Sequence, residues 1–130
     1  MADGPPTRSQ VMAASGDMLK WQVYAIHTFP TNGLGPVMEN IGPHLEHQHR
    51  MEKEGVYIAA GPHWADDEET WEGEGLIIVR AKDLTDARRI AEADPMHSSG
   101  ARSFTVRPWL INEGTITIKV NFASGTREVS

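Results

Sequence analysis

The order of its hydrophobic patterns is the feature that most constrains how this chain folds. Segments in which apolar and polar residues alternate predict β-strands, and segments with apolar residues three or four positions apart predict helices. Along the chain these patterns predict strand, helix, strand, strand, helix, strand and one further strand. In chain order, the predicted elements are residues 19–29, 43–54, 56–62, 76–81, 83–93, 103–109 and 115–122.

Four strands with two interposed helices favour an α+β fold, the ferredoxin-like split βαβ arrangement (βαββαβ plus an extra C-terminal strand). In this arrangement both helices cover one face of an antiparallel sheet and leave the other face bare. A chain of 130 residues would then expose a sizeable apolar surface. We therefore expect a homodimer that stacks sheet on sheet, with the extra strand available to pair across it.

The pattern predicts a single domain over residues 18–123. Residues 1–17 combine proline, glycine and serine without a sustained apolar period, so we expect a disordered N-terminal tail. Residues 124–130 are expected to be a C-terminal tail.

Composition and motifs exclude several classes of function. Twelve Lys and Arg against 18 Asp and Glu give a net charge of −6, so we expect neither nucleic acid nor membrane as a partner. The absence of cysteine excludes disulfides, thiolate metal sites and cysteine nucleophiles. No signal-peptide pattern or membrane-length apolar run is present, which favours a cytoplasmic location. Nucleotide-binding fingerprints and a nucleophile elbow are also absent.

The histidines do not predict a metal site. His44, His47 and His49 fall in the first predicted helix, but His47 and His49 are roughly 200° apart around a helix, so only two of the three converge. The spacing H-E-x-x-H is missing. We predict surface histidines, no metal and no cofactor.

Short motifs along the chain resemble the YCII-related family. They are His44-Leu45, Gly55, Ala60-Gly61-Pro62, Ala93-Asp94-Pro95 and Arg107-Pro108-Trp109. Their order and spacing between residues 21 and 114 carry the resemblance. It implies a ferredoxin-like dimeric α+β barrel, a His–Asp pair in a pocket that maps onto His44 and Asp94, and a small-molecule substrate. A few relatives are lyases on substituted aromatic compounds, such as a dehydrochlorinase of a chlorinated hydroxyquinol.

A histidine paired with an aspartate is suited to acid–base chemistry. An imidazole titrates near neutral pH, and a carboxylate on its second ring nitrogen selects the tautomer and stabilises the imidazolium. Two interpretations stay open at this point. His44 and Asp94 are a catalytic pair, or His44 is a core histidine and Asp94 a helix-end residue before Pro95.

Other residues are candidates for substrate binding. Arg102 and Arg107 are suited to an anionic substrate group, and Trp109 to the wall of an aromatic cavity. The acidic segment 63–75 is predicted to be a solvated loop, or else a lid in which Trp64 or Trp71 closes over an apolar ligand. The predicted substrate-binding residues are His97, Gly61, Pro62, Arg107 and Trp109.

Three functions are compatible with these observations. The first is a cofactor-independent enzyme of lyase or isomerase type that acts on a small cyclic or aromatic substrate through the His–Asp pair. The second is a non-catalytic small-ligand-binding or accessory protein-interaction domain. The third is a cofactor-free oxygenase, a reaction that related dimeric α+β barrels perform.

Overall fold

The computed structural model describes residues 4–130, which divide into two compact units. The larger unit is Gln22–Leu110, and the smaller combines the described residues up to Trp21 with Ile111–Ser130. Within the described residues, no helix is both long enough and apolar enough to cross a membrane. The elements are α1 (Arg8–Ala14), β1 (Trp21–Pro30), α2 (Leu34–Glu39), α3 (Ile41–Lys53), β2 (Tyr57–Pro62), β3 (Gly75–Val79), α4 (Leu84–Glu92), α5 (Pro95–Ser98), β4 (Arg102–Ile111), β5 (Ile118–Val120) and β6 (Arg127–Val129).

A four-stranded sheet with the order β2-β3-β1-β4 forms the centre of the fold. β3 pairs antiparallel with both β1 and β2, so it separates the two strands that α2 and α3 connect. This is the split βαβ arrangement, and it confirms the predicted ferredoxin-like α+β class. The edge position of β4 also agrees with Pro108, because proline cannot donate a hydrogen bond to a neighbouring strand.

The hydrophobic core lies between one face of this sheet and the helices. Because side chains alternate along a strand, every second residue of β1 and β3 faces the same way. Their apolar side chains pack against α4, with Met51 of α3 and Phe104 and Val106 of β4 at the margin. The buried members of this cluster are Tyr24, Ile26, Tyr57, Ile77, Val79, Ala87, Ile90 and Ala91.

The helix ends agree closely with their sequence signals. Helix α3 begins at Ile41, two residues before the predicted start, and Pro43 is tolerated because the first-turn amides have no intrahelical acceptor. Gly55 follows the C-cap of α3 with a φ of 76°, a left-handed conformation that favours glycine. Asp83 caps α4 by accepting a hydrogen bond of 2.8 Å from the amide of Asp86.

The smaller unit differs from the sequence prediction at both ends of the chain. Helix α1 lies inside the segment predicted as a disordered tail, whose residues 1–3 are outside the described residues. A capping box begins this helix, because Thr7 and Gln10 exchange side-chain-to-amide hydrogen bonds. The predicted fifth strand is shorter, and it pairs antiparallel with β6, which lies in the predicted C-terminal tail.

Candidate functional site

The centre of the candidate site is a buried hydrogen bond between His44 and Asp94. His44 lies in the first turn of α3, and Asp94 precedes α5, fifty residues later in the chain. The Nδ1 atom of His44 is 2.8 Å from Oδ1 and 2.9 Å from Oδ2 of Asp94. The two residues are 6% and 1% exposed. Nδ1 therefore carries a hydrogen and donates it to the carboxylate, which leaves Nε2 as the ring nitrogen that can accept a proton.

Asp94 is held as an anion by its neighbours. Its side chain also caps α5, because Oδ1 accepts a hydrogen bond of 2.9 Å from the amide of Met96. Burial acts to raise the pKa of the Asp94 carboxyl, but the hydrogen bond and charge of His44, together with the Met96 amide, hold that pKa below its ordinary value. The carboxylate can therefore orient the imidazole and stabilise its protonated form.

A cavity of about 260 Å³ adjoins this pair. Its walls come from α3, from β1, β2 and β3, from the first residue of β4 and from the loop between β2 and β3. Most of the lining is apolar, including Ile41, Leu45 and Ile77. Sites for drug-sized ligands usually measure roughly 300–1,000 Å³, so this cavity suits a smaller molecule, about the size of one substituted ring.

The loop between β2 and β3 supplies two tryptophans to the cavity wall. Both Trp64 and Trp71 line the cavity, although Trp64 is 59% exposed. The indole Nε1 of Trp71 donates a hydrogen bond of 2.9 Å to the carbonyl of Glu74. Backbone hydrogen bonds from His63 to Glu74 and from Ala65 to Thr70 extend the hairpin into this loop. The loop is therefore an ordered wall with one exposed aromatic side chain at the cavity.

The structure brings together only some of the residues predicted to bind substrate. Gly61 and Pro62, at the end of β2, line the cavity with His44. Arg107 and Trp109 do not line it, and both are exposed. Side chains alternate along β4, where Phe104 packs on the core, so the odd-numbered residues face away from the helices. Arg107 and Trp109 therefore lie outside the lining of this cavity, and their part in substrate binding stays a prediction.

His97 lies behind the cavity wall and reaches the cavity through Thr28. Its Nδ1 is 2.6 Å from the carbonyl of Ala91, and its Nε2 is 2.8 Å from the hydroxyl of Thr28, which lines the cavity. Burial lowers the pKa of His97, which favours the neutral ring. Nδ1 then donates to Ala91 and Nε2 accepts from Thr28, so the Thr28 oxygen keeps lone pairs for a ligand.

Arg102, rather than Arg107, is the arginine at the cavity. It is 6% exposed, and its guanidinium carbon lies 5.8 Å from the centre of the Trp71 ring. Burial lowers the pKa of Arg102. The sequence carries a signal for this placement, because Arg102 shares its strand parity with the apolar residues Phe104 and Val106. Thr28 and Gln48 also line the cavity. Thr28 has a similar signal, because it lies on the same side of its strand as Tyr24 and Ile26.

The remaining histidines do not form a metal centre in the described part of the chain. His47 is buried on α3, where its ring contacts Tyr57 edge-on at 6.3 Å between ring centres. His49 is exposed on the same helix. Residues 4–130 contain no group of three or more His, Asp or Glu side chains that could together hold a metal ion.

Comparison with known proteins identifies a protein family and a solved structure with a similar fold. The YCII-related domain matches residues 22–110. No curated protein sequence is significantly similar to the chain. A similar solved structure is 5-chloro-2-hydroxyhydroquinone dehydrochlorinase from Burkholderia phenoliruptrix AC1100, in complex with 2,5-dihydroxybenzoquinone. It is 18% identical with a TM-score of 0.55, and the match covers 67% of this chain and 92% of that chain.

The His44–Asp94 contact predicts a specific dependence of stability on pH. Because the pKa of Asp94 lies below its ordinary value of 3.8 in the folded protein, the stabilisation is complete above that value and is lost as the pH falls through the folded pKa. Urea unfolding of wild type and Asp94→Asn should differ by roughly 1–3 kcal/mol at neutral pH. The difference should narrow below pH 3.8.

Asp66→Asn is the control for this measurement, because Asp66 is exposed in the loop between β2 and β3. It should unfold like the wild type at each pH. A difference between wild type and Asp94→Asn that stays constant from neutral to acidic pH would contradict the assignment of a charged Asp94 carboxylate.

Proposed function

Because the chain belongs to the YCII-related family, we propose that it is a small cytoplasmic, cofactor-independent enzyme of lyase or isomerase type. Its substrate is a small cyclic or aromatic molecule bound in the cavity beside His44. The observation that carries this proposal is the buried hydrogen bond from His44 Nδ1 to Asp94 at the cavity wall. A pair arranged in this way prepares the second ring nitrogen to take up a proton from a bound molecule.

The reaction begins with proton transfer to His44. Nε2 accepts a proton from a carbon or hydroxyl of the substrate, and the carboxylate of Asp94 stabilises the imidazolium that forms. In an elimination, the electron pair left on the substrate forms a new π bond while the leaving group departs with its own bonding pair. The net loss is one proton and one leaving-group anion. In an isomerisation, His44 returns the proton to another atom of the same molecule.

The size and polarity of the cavity support a ring-shaped substrate. Its volume of about 260 Å³ and its apolar walls suit one ring with a few polar substituents. The dehydrochlorinase with the similar structure is named for a chlorinated hydroxyquinol, and its structure contains a hydroxylated benzoquinone. We take halogenated hydroxyquinols as the first substrates to assay. A binding domain without turnover would use the same cavity, so the experiment on His44 also decides between these two functions.

Substitution of His44 tests the proposed chemistry directly. General acid–base assistance contributes a factor of about 10²–10⁴, so His44→Gln should lower kcat for chloride release from 5-chloro-2-hydroxyhydroquinone by that factor. The matched control is His49→Gln, an exposed histidine on the same helix, which should keep wild-type kcat. Chloride release and thermal melting are measured on both variants.

Asp94→Asn tests whether activity depends on the tautomer of His44 that Asp94 selects. If the asparagine oxygen keeps the Met96 amide, its NH₂ group faces Nδ1 of the ring and favours the tautomer with hydrogen on Nε2. This variant should therefore lose activity although its cavity is unchanged. Binding of the substrate without turnover by the wild type would instead assign the chain to the ligand-binding class.

The exposed tryptophan of the loop provides a test of the lid hypothesis. Trp64→Ala removes an aromatic wall of the cavity without touching the His–Asp pair, so KM should rise about fivefold, equivalent to about 1 kcal/mol, with kcat little changed. Phe122→Ala is the control, because Phe122 is exposed and lies outside the cavity lining. An unchanged KM in Trp64→Ala would argue against a lid.

The proposal includes a homodimer that covers the second face of the sheet. Strand alternation places His27, Arg107 and Trp109 on the face away from the core, and all three are exposed. Trp109→Glu should convert the dimer to a monomer in sedimentation-velocity experiments. Thr85→Glu, an exposed position on α4, should leave it dimeric. A wild-type chain that sediments as a monomer would contradict this part of the proposal.

A further inference from the structure

Arg102 brings a buried positive charge to the cavity that the acid–base step does not use. The residue is 6% exposed and lines the same cavity as His44. Its Nε is buried without a hydrogen-bond partner. In the part of the chain that the structure describes, Arg102 takes part in no ion pair that would neutralise its guanidinium.

Such an arrangement is unfavourable for the protein alone. A buried charge needs a partner of opposite sign or a full set of hydrogen bonds, and otherwise it destabilises the folded state. Asp94 is close enough to act on Arg102 through space, but its oxygens already accept hydrogen bonds from His44 and Met96. The face of Trp71 offers partial compensation through a cation–π contact at 5.8 Å. The donors of the guanidinium thus remain available to a ligand.

We infer that Arg102 is an anion-binding group in the cavity, and that the molecule it selects is a single ring bearing a planar oxyanion. A guanidinium presents parallel N–H donors that match a carboxylate or an ionised ring hydroxyl. The cavity volume of about 260 Å³ limits the remainder of the molecule to about one ring. The inference rests on the proposed function and names its substrate class: a ring that His44 deprotonates while Arg102 holds its oxyanion.

The overall negative charge of the chain cannot explain a preference for anionic ligands, so such a preference must come from a group in the cavity. The net charge is −6, and the loop that supplies Trp64 and Trp71 is acidic. The long-range field of the protein therefore disfavours an anionic ligand. A measured preference for an anion over a neutral molecule of the same shape reports a specific cation in the cavity, and Arg102 is the arginine that lines it.

Benzoate and benzamide are matched probes for the experiment, because they share a ring and a planar substituent and differ in charge. Dissociation constants are measured on the full chain from the NMR shift of the Trp71 indole N–H, which lies at the cavity. The wild type should bind benzoate at least about tenfold more tightly than benzamide. Arg102→Met should abolish the preference. The matched control Arg88→Met, an exposed arginine on α4 outside the cavity lining, should retain it.

Thermal melting separates an anion-binding role from a structural one. Replacing an unpaired buried charge by an apolar side chain of similar length is neutral or stabilising, so Arg102→Met should melt at or above the wild-type temperature. A variant that melts lower, or does not fold, assigns Arg102 a structural role and overturns the inference. Equal binding of the two probes by the wild type, or no saturable binding of benzoate, overturns it as well.

A further variant distinguishes this inference from the proposed function. His44→Gln should keep the preference for benzoate while it loses turnover, because binding of the oxyanion and proton transfer use different residues. A wild type that prefers benzoate but releases no chloride refutes the proposed function and leaves the anion site standing. A wild type that turns over its substrate but shows no preference for benzoate refutes the anion site alone.

Discussion

The buried hydrogen bond between His44 and Asp94 is the interaction on which the rest of the site depends. A carboxylate that is 1% exposed is tolerated only when its oxygens are satisfied, and here the His44 ring and the Met96 amide satisfy them. The bond joins the start of α3 to the start of α5, and α5 leads directly into β4. The same contact that makes burial of the charge possible therefore also leaves Nε2 as the ring nitrogen that can accept a proton.

Two ionisable groups, Arg102 and His97, are buried or half-buried at or behind the cavity although their burial lowers the stability of the fold. Arg102 is buried beside Trp71 without an anionic partner, and His97 is held neutral behind Thr28 by burial. Neither arrangement is required by the hydrophobic core, which lies between the sheet and α4. Groups that lower stability and line a cavity are the ones that a bound molecule can compensate, and such trade-offs between stability and activity are common at functional sites.

Much of the larger unit could be predicted from local patterns. Alternation and helical spacing depend only on neighbouring residues, and they predicted the strands of the central sheet and the two main helices α3 and α4. The helix Arg8–Ala14 was missed because proline and glycine at the start of the chain outweighed the capping-box signal of Thr7 and Gln10. The sequence also contained the information that places Arg102 and Arg107 on opposite faces of the sheet, because alternate residues of a strand face opposite sides. The prediction did not apply this rule to the two arginines.

The sequence by itself determined the order of the four central strands and the two main helices and, through its resemblance to a family, the identity of the central pair. Only the tertiary structure decided that His44 Nδ1 contacts both oxygens of Asp94, that Arg102 faces the cavity without an ion pair, and that Trp71 lies beside it. Secondary structure follows from interactions between residues a few positions apart. Contacts across fifty residues, and the absence of a partner for a buried charge, depend on how the elements pack.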